Sequence, residues 1–456
     1  MKTSWYEKAF SRVLYPLWES GLRRRHTLAY LADYQRDQWL APEQIAALQW
    51  QRLKHLLEHC ERTVPYYRQR WREAGIVVAN IRNLDDYAQL PVLTKADIRQ
   101  HFDALQAEGW QGRVLTKATG GSTGDPLRFG YTRESYERRT AVMWRGYDWA
   151  GSRMGRRTLF VWGGAVGTPN RVQQFKDRVY NAAFARRMLN SFDMTEANMA
   201  GYADAIDDYR PQVIVGYVGP MVRLAQWLLD TGRRVAAPQS IIGAAESLHE
   251  FQREIIERAF GCPAYNTYGC REFMLIASEC ERREGLHVNA DHLVVELQRR
   301  PDATATEPGE VVITDLFNYG MPFVRYLNGD VATASDHVCS CGRGLPLLQR
   351  VDGRLLDAIR TPAGHLLPGE FFPHMLKDVP GLVRFQVVQR RLDQLELSLV
   401  RGPGFGEASL AYIRRELAKV VGDSLQLNVH FVDDIPLTPS GKWRVCISEL
   451  PATPAT

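Results

Sequence analysis

One short segment combines hydroxyl side chains with closely spaced glycines, residues 117–126 (KATGGSTGDP). Backbone N–H groups in such a segment can converge on an anion, and Ser122 and Thr123 add hydroxyl donors that suit phosphate oxygens. It differs from the P-loop of nucleotide-binding proteins, because no Gly-Lys-Ser/Thr ends it and no helical pattern opens there. The segment therefore predicts a phosphate-binding loop, with a surface turn as the alternative.

Three later segments carry charges that suit nucleotide chemistry. Residues 268–272 (YGCRE) place Glu272 just beyond a predicted strand, and a carboxylate near a phosphate loop is a natural Mg²⁺ ligand. Asp330 follows a glycine, where an acid can accept hydrogen bonds from both ribose hydroxyls. Lys442 lies in a loop of Pro, Ser and Gly, and a cation is useful where charge builds on a carboxylate and an α-phosphate. For each segment the alternative is an ordinary surface charge or turn.

A second constellation contains only metal-ligating residue types, in the pairs Cys-x₆-His and Cys-x-Cys about fifty residues apart: Cys280, His287, Cys339 and Cys341. Three cysteines and one histidine form a recognised tetrahedral Zn²⁺ set that leaves no open position for catalysis. The spacings are not those of the usual zinc fingers, so four unrelated residues are the alternative. We predict a structural zinc site.

The elements that must position these residues change along the chain. Up to about residue 111 the pattern is mainly helical, and the apolar spacing predicts a helix over 42–60. From about residue 114, short apolar strands alternate with amphipathic helices at 221–229 and 248–260. The strands are predicted at 158–162, 213–217, 241–244, 293–297 and 311–314.

Beyond residue 357 the pattern predicts a hairpin of strands 384–389 and 394–400, a helix over 407–420 and a strand over 425–431. The predicted fold class is α/β, with a large layered N-terminal domain whose sheets are covered by helices, and a small C-terminal α+β domain. We divide the chain into a helical lead-in (1–110), an α/β core (111–357) and the C-terminal domain (358–456).

Bulk properties exclude several classes of protein. The 456 residues, 45% hydrophobic and 24% charged with a net charge of +5, are those of an ordinary globular protein. No apolar run approaches the roughly 20 residues of a membrane span, and no nucleic-acid-binding motif is present. Seven cysteines without close even spacing do not indicate a disulfide framework, so a reducing cytoplasm is the expected location.

The order and spacing of the four nucleotide segments resembles the adenylate-forming (AMP-binding) superfamily, which has a phosphate loop, a Tyr-Gly-x-x-Glu element, a Tyr-x-x-Gly-Asp element and a terminal Gly-Lys loop. Residues 90–95 (LPVLTK), 243–246 (GAAE) and 351–357 (VDGRLLD) are similar to the phenylacetate-CoA ligase branch, including its CapK-like relatives linked to polysaccharide synthesis. The resemblance covers residues 90–444.

The resemblance implies a role for each matching residue. The ATP phosphates would be held by Thr119, Ser122, Thr123 and Gly124. The adenine would be lined by Gly243, Ala244, Ala245 and Glu246, with Tyr268 stacked nearby. Glu272 would bind Mg²⁺, Asp330 and Arg354 would hold the ribose, and Lys442 would assist acyl-adenylate formation from a small domain that rotates between the two half-reactions.

Four aromatic residues are predicted near strand ends, where the acid would bind: Trp144, Tyr147, Trp162 and Tyr217. They could line an apolar slot for an aryl or other hydrophobic acid. Core packing explains them equally well, since aromatic residues are common in cores.

Two positions depart from the family pattern. Gly120 replaces the usual serine of the phosphate loop, which removes one hydroxyl. The junction has Leu356 where the hinge is expected and retains only Asp357 of two successive acids, which leaves the use of CoA open.

The resemblance thus implies an ATP- and Mg²⁺-dependent ligase that adenylates a small carboxylic acid and passes the acyl group to CoA. The first alternative acceptor is an amine or hydroxyl in surface polysaccharide synthesis, and a non-catalytic nucleotide-binding scaffold is an alternative of another class. The oligomeric state stays open, with a homodimer as one option.

Overall fold

The computed structural model describes residues 5–118, 127–163, 179–299, 304, 307–354, 359–362, 366–367, 371–376, 379–421, 425–436 and 444–450. The chain divides into two compact units. The first comprises Met1–Asn328 and Thr333–Arg350, and the second comprises Gly329–Ala332 and Val351–Thr456. The predicted domain boundary at residue 357 lies outside the described residues.

The first hundred residues are mainly helical, as predicted. Helices α1–α6 are Trp5–Ala9, Thr27–Asp37, Pro42–Thr63, Pro65–Glu73, Leu84–Tyr87 and Lys95–Gln100. Phe10–Leu14 and Leu17–Leu22 are π-helical, and Val78–Asn80 is a 3₁₀ turn. Thr94 caps α6, because its hydroxyl accepts a hydrogen bond from the Asp97 amide at 3.2 Å.

Between residues 115 and 354 the described elements are strands with helices among them. The strands β1–β13 are Leu115–Ala118, Arg128–Tyr131, Thr158–Trp162, Arg186–Asn190, Val213–Tyr217, Ser240–Ala244, Ala264–Cys270, Met274–Glu279, Leu286–Val288, Leu293–Gln298, Gly309–Asp315, Tyr326–Ala334 and Leu347–Arg354. The helices α7–α10 are Arg133–Trp149, Met199–Tyr209, Val218–Thr231 and Glu250–Phe260. Short 3₁₀ turns occupy Ser191–Asp193 and Glu196–Asn198.

Eleven of these strands form one sheet in the order β10-β11-β12-β13-β9-β8-β7-β6-β5-β3-β4. Strands β4, β3, β5, β6 and β7 are parallel to one another, whereas β8 and β9 continue the sheet in antiparallel pairing. Strands β3, β5 and β6, in the middle of this parallel part, are nearly continuous apolar runs, as expected where helices cover both faces of a sheet. Val213, Ile214, Ile241 and Ile242 accordingly have no exposed surface.

The second unit has its own sheet and apolar core. Its described elements are β14–β19 at Ile359–Arg360, Leu366–Leu367, Leu382–Arg391, Gln394–Arg401, Gln426–Phe431 and Cys446–Ser448, with α11 at Phe371–Leu376 and α12 at Glu407–Val421. The order of the four-stranded sheet is β18-β17-β16-β19. Strands β16 and β17 form the predicted hairpin, and Leu395, Leu397 and Ile413 are buried between the sheet and helices.

Within the described ranges, none of the helices combines the length and apolar content that a bilayer crossing requires.

Candidate functional site

The carboxyl ends of four neighbouring parallel strands carry residues predicted to bind nucleotide or acid. Trp162, Tyr217, Ala244 and Cys270 are the last residues of β3, β5, β6 and β7. The strands are in register, since Tyr217 pairs with Ala244 across β5 and β6. The chain runs from β3 to β4 on one side and then to β5 on the other, so the strand order reverses between β3 and β5. Ligands of open α/β sheets bind in the crevice at such a reversal.

Two of the predicted acid-pocket aromatics meet at this reversal. The rings of Trp162 and Tyr217 lie 4.5 Å apart between centroids. Trp144 and Tyr147, which were also predicted to lie near strand ends, are on helix α7. Tyr147 and Trp162 both pack against a buried cluster that includes Val213 and Val215 of β5, whereas Trp144 contacts Tyr15 edge-on at 6.2 Å. Helical spacing places Trp144 and Tyr147 near one face of α7.

The loop predicted to line the adenine, residues 243–246, directly follows β6. The Thr267 hydroxyl donates to the Gly243 carbonyl at 2.6 Å, which ties the loop to β7. Ala245 has a φ of 67°, an uncommon left-handed conformation that is typically retained at functional turns. The Glu246 carboxylate accepts a hydrogen bond from the Gly219 amide at 2.6 Å, near the start of α9. Glu246 therefore fixes the loop against a helix N-terminus, where a negative charge is favourable.

Direct hydrogen bonds join the Tyr-Gly-x-x-Glu element to the segment that contains Asp330. The Asn328 side-chain amide donates to the Tyr268 hydroxyl at 2.8 Å. The Tyr326 hydroxyl donates to the Glu272 carboxylate at 3.1 Å. Two predicted segments that are more than fifty residues apart in sequence are thus held together by their own side chains.

Glu272 is buried, with 6% of its surface exposed. Among the described residues, its hydrogen-bond partner is the neutral hydroxyl of Tyr326. Burying a carboxylate is unfavourable unless a cation or several donors compensate for the lost hydration. This environment fits a carboxylate that coordinates Mg²⁺, and it excludes the interpretation of Glu272 as a surface charge.

Gly269 is required by the close approach of β8. A Cβ atom at this position would lie 1.9 Å from the carbonyl oxygen of Met274. The pairing of β7 with β8 shifts register between Tyr268 and Gly269, and Met274 has a φ of 63°. This bulge directs the chain after β7 away from regular pairing, as bulges beside binding sites commonly do.

Sequence analysis overlooked two cations beside the glycine-rich segment. An Arg271 Nη donates to the Ala118 carbonyl at 3.1 Å, and the Arg271 side chain is exposed. The Lys117 ammonium lies 5.0 Å from the Tyr136 ring centroid. Burial, followed by the charges of Arg139 and Arg271, lowers the pKa of Lys117. The positions of Lys117 and Arg271 within the predicted motifs were the signal that could have identified them.

Several predicted residues lie outside the described residues. They are Thr119, Ser122, Thr123, Gly124, Leu356, Asp357 and Lys442, together with the side chain of Arg354 at the end of β13. Asp330 is described: it lies within β12 and is partly buried, not in a surface turn.

The four predicted zinc ligands converge, although they come from three separate stretches of the first unit. One ligand atom from each of Cys280, His287, Cys339 and Cys341 lies within 4.8 Å of the others. The Sγ atoms of Cys280 and Cys339 are 3.6 Å apart, and His287 Nε2 is 3.3 Å from Cys341 Sγ. Ligands about 2.0 to 2.3 Å from a central tetrahedral Zn²⁺ would have similar mutual separations.

The surroundings of this Cys/His cluster also suit a metal. His287 Nδ1 lies 3.2 Å from the Leu345 carbonyl, which holds the tautomer whose Nε2 lone pair faces the cysteines. Burial lowers the pKa of His287 to about 4, so the imidazole is neutral near pH 7. The amides of Arg282 and Arg343 donate to Cys280 and Cys341 at 3.4 Å each, and such bonds stabilise thiolates.

Several known proteins are similar to this chain in sequence or fold. Residues 359–449 match the family described as the CapK C-terminal domain. The phenylacetate-coenzyme A ligase of Thermus thermophilus is 28% identical, over 83% of this chain and 87% of the relative. Protein CapK of Staphylococcus aureus is 23% identical over 94% of each chain.

Among solved structures, a 2-hydroxyisobutyryl-CoA ligase in its postadenylation state superposes with a TM-score of 0.72. The two are 19% identical, and the match covers 91% of each chain. This similarity confirms the fold that the sequence predicted. The chain is thus similar in sequence to phenylacetate-coenzyme A ligases and to Protein CapK, its residues 359–449 match the CapK C-terminal domain, and its fold is that of the 2-hydroxyisobutyryl-CoA ligase.

Proposed function

We propose that this protein activates a small carboxylic acid with ATP, forms an acyl-adenylate and releases pyrophosphate, and then passes the acyl group to CoA. The observation that carries the proposal is the pair of hydrogen bonds, Asn328 to Tyr268 and Tyr326 to Glu272, beside the crevice of the parallel strands. The phenylacetate-coenzyme A ligase of Thermus thermophilus, which matches over most of both chains, supports the same reaction.

In the adenylation step, a carboxylate oxygen of the acid bonds to the α-phosphorus of ATP, and the bond to pyrophosphate breaks. Mg²⁺, when bound at Glu272, would neutralise charge on the phosphate oxygens. Arg271 and Lys117 would add positive charge beside the glycine-rich loop, and Lys442 would contribute its cation from the second unit. Trp162 and Tyr217 would contact the apolar part of the acid at the strand reversal.

The test is ATP–pyrophosphate exchange measured over a panel of aryl and aliphatic acids. We expect exchange that requires both Mg²⁺ and one class of acid. Absence of exchange with every acid, in protein that still binds ATP, would refute adenylation and favour the non-catalytic scaffold.

The second candidate keeps the adenylation step but transfers the acyl group to an amine or hydroxyl of a surface polysaccharide precursor. It is favoured by the CapK C-terminal domain at residues 359–449 and by the altered junction at Leu356. The two candidates are distinguished by incubating the enzyme, ATP and the preferred acid with either CoA or amino sugars. Acyl-CoA as the product supports the first candidate, and an amide or ester supports the second.

The Cys/His cluster is proposed to hold one structural Zn²⁺. Four protein ligands fill a tetrahedral shell, so no position is left for substrate or water. The metal would link the segment after β8 to the loop before β13 and stabilise the first unit.

A further inference from the structure

Buried side chains anchor one face of the N-terminal helical segment, residues 5–22. Glu7 accepts a hydrogen bond from the Gln212 side chain at 2.8 Å, and Glu19 accepts one from the Thr27 hydroxyl at 2.7 Å. Phe10 is buried against the ring of Phe184, at 5.3 Å between centroids. These contacts fix which side of the segment faces the rest of the first unit.

The opposite side is apolar and exposed. The exposed fractions are 81% for Trp5, 52% for Val13, 48% for Leu14, 64% for Leu17 and 70% for Leu22. Trp5, Val13, Leu17 and Leu22 recur at intervals of eight, four and five residues, which suit one stripe along a helix with π-helical turns. Single exposed apolar residues are normal, but a contiguous stripe indicates an interaction surface.

The charges exposed on this segment, and on the residues that follow it, have one sign. Lys8, Arg12, Arg23 and Arg24 are exposed. The acids of the segment, Glu7 and Glu19, are both buried, with 3% of their surface exposed. The exposed side of the segment therefore presents apolar side chains and cations, while both of its acids are buried.

We propose that this face docks on the surface of an anionic phospholipid bilayer. A helix whose apolar side chains enter the acyl boundary while Lys and Arg contact phosphate headgroups lies in the plane of the membrane. Trp5 suits the headgroup level, where indole rings concentrate. A second copy of the chain fits less well, because a symmetric contact would bring the four cations of each copy together.

The proposal is tested by co-sedimentation of the full chain with vesicles. The wild type binds vesicles of phosphatidylcholine with about one third phosphatidylglycerol, and binds pure phosphatidylcholine much more weakly. Raising NaCl from about 0.1 M to about 1 M shortens the screening length from ~10 Å to ~3 Å and releases most of the protein.

Two double variants separate the apolar and charged contributions. Leu17→Gln/Leu22→Gln lowers the partition coefficient at least about tenfold, because two large apolar side chains no longer enter the bilayer. Arg23→Gln/Arg24→Gln lowers it about tenfold to thirtyfold on anionic vesicles only. The matched control is Val77→Gln/Leu84→Gln, which changes residues that are 53% and 43% exposed elsewhere and keeps full binding.

We expect the two double variants and the control to unfold at the wild-type temperature and to keep pyrophosphate exchange. A loss of vesicle binding would then not reflect misfolding. The proposal is overturned if the wild type does not prefer anionic vesicles, or if Leu17→Gln/Leu22→Gln binds as well as the wild type. It is also overturned if the wild type does not bind vesicles but forms a dimer that the Leu17→Gln/Leu22→Gln substitutions dissociate. The face would then serve self-association.

Discussion

Two sites of the molecule are assembled from residues far apart in sequence: the Cys/His cluster, and the carboxyl edge of strands β3, β5, β6 and β7. They differ in whether their side chains are buried or reach solvent. In the cluster, four ligand atoms face one another within 4.8 Å, and Cys280, His287 and Cys339 are buried. At the strand edge, Glu272 is buried, whereas the residue before it in the chain, Arg271, is exposed.

This difference suggests that the cluster contributes to the stability of the fold and that the strand edge contributes to the reaction. Donors that face only one another can hold a metal but cannot reach a substrate, whereas side chains around an open crevice can. Variants of the cluster should therefore reduce stability, and variants of the nucleotide site should reduce activity while the fold is retained. Each prediction below can break that separation.

The largest effect is expected at the cluster. Cys280→Ser should remove the bound zinc and destabilise the first unit by more than about 4 kcal/mol. The corresponding fall in the thermal midpoint is roughly 10 °C. Metal analysis should find about one zinc per chain in the wild type and none in the variant.

The matched control is Cys60→Ser, which changes another thiol with no exposed surface that is not part of the cluster. It should keep its zinc and lose less stability. Wild-type protein that is free of metal and fully stable would remove the zinc site from this account.

The next effect concerns the cation of the second unit. Lys442→Ala should lower the adenylation rate about 10²–10³-fold, the usual result of removing one group that stabilises developing charge. ATP–pyrophosphate exchange is the measurement, and thermal unfolding should not change. Lys54→Ala, an exposed lysine on α3, serves as the control and should keep full exchange. Near-normal exchange in Lys442→Ala would exclude this lysine from the reaction.

The smallest effect is expected for the ribose contact. Asp330→Ala should raise the KM for ATP about tenfold with a modest change in kcat, because a hydrogen bond to a charged group contributes about 1.5 kcal/mol or more. The control is Asp208→Ala, an exposed acid on α8. An unchanged KM for ATP in the Asp330 variant would contradict the ribose assignment.

Element positions were predictable where the pattern was locally unambiguous. Strands 158–162 and 213–217 are observed with the predicted bounds, because short runs rich in β-branched and aromatic residues favour strands over helices. Tyr147 and Trp144 lie on α7, in a segment for which the sequence analysis predicted no helix or strand. Their apolar character is common to both element types, so burial alone could not separate them.

The individual residue types at the candidate sites were also readable from the sequence. The chemistry of Cys280, His287, Cys339 and Cys341 follows from thiol and imidazole groups, whose affinity for Zn²⁺ does not depend on the fold. The need for glycine at position 269, however, arises from Met274 on the neighbouring strand. Likewise, the Arg271 side chain donates a hydrogen bond to the carbonyl of Ala118, which is more than a hundred residues earlier in the chain.

The sequence by itself determined the chemical inventory and the positions of many strands and helices, because side-chain chemistry and hydrophobic periodicity are local properties. Only the tertiary structure decided that Tyr268 meets Asn328, that Glu272 is buried and that Leu17 and Leu22 of the N-terminal helical segment are exposed. Those outcomes depend on which surfaces pack together, and that packing is set by the free energy of the whole chain.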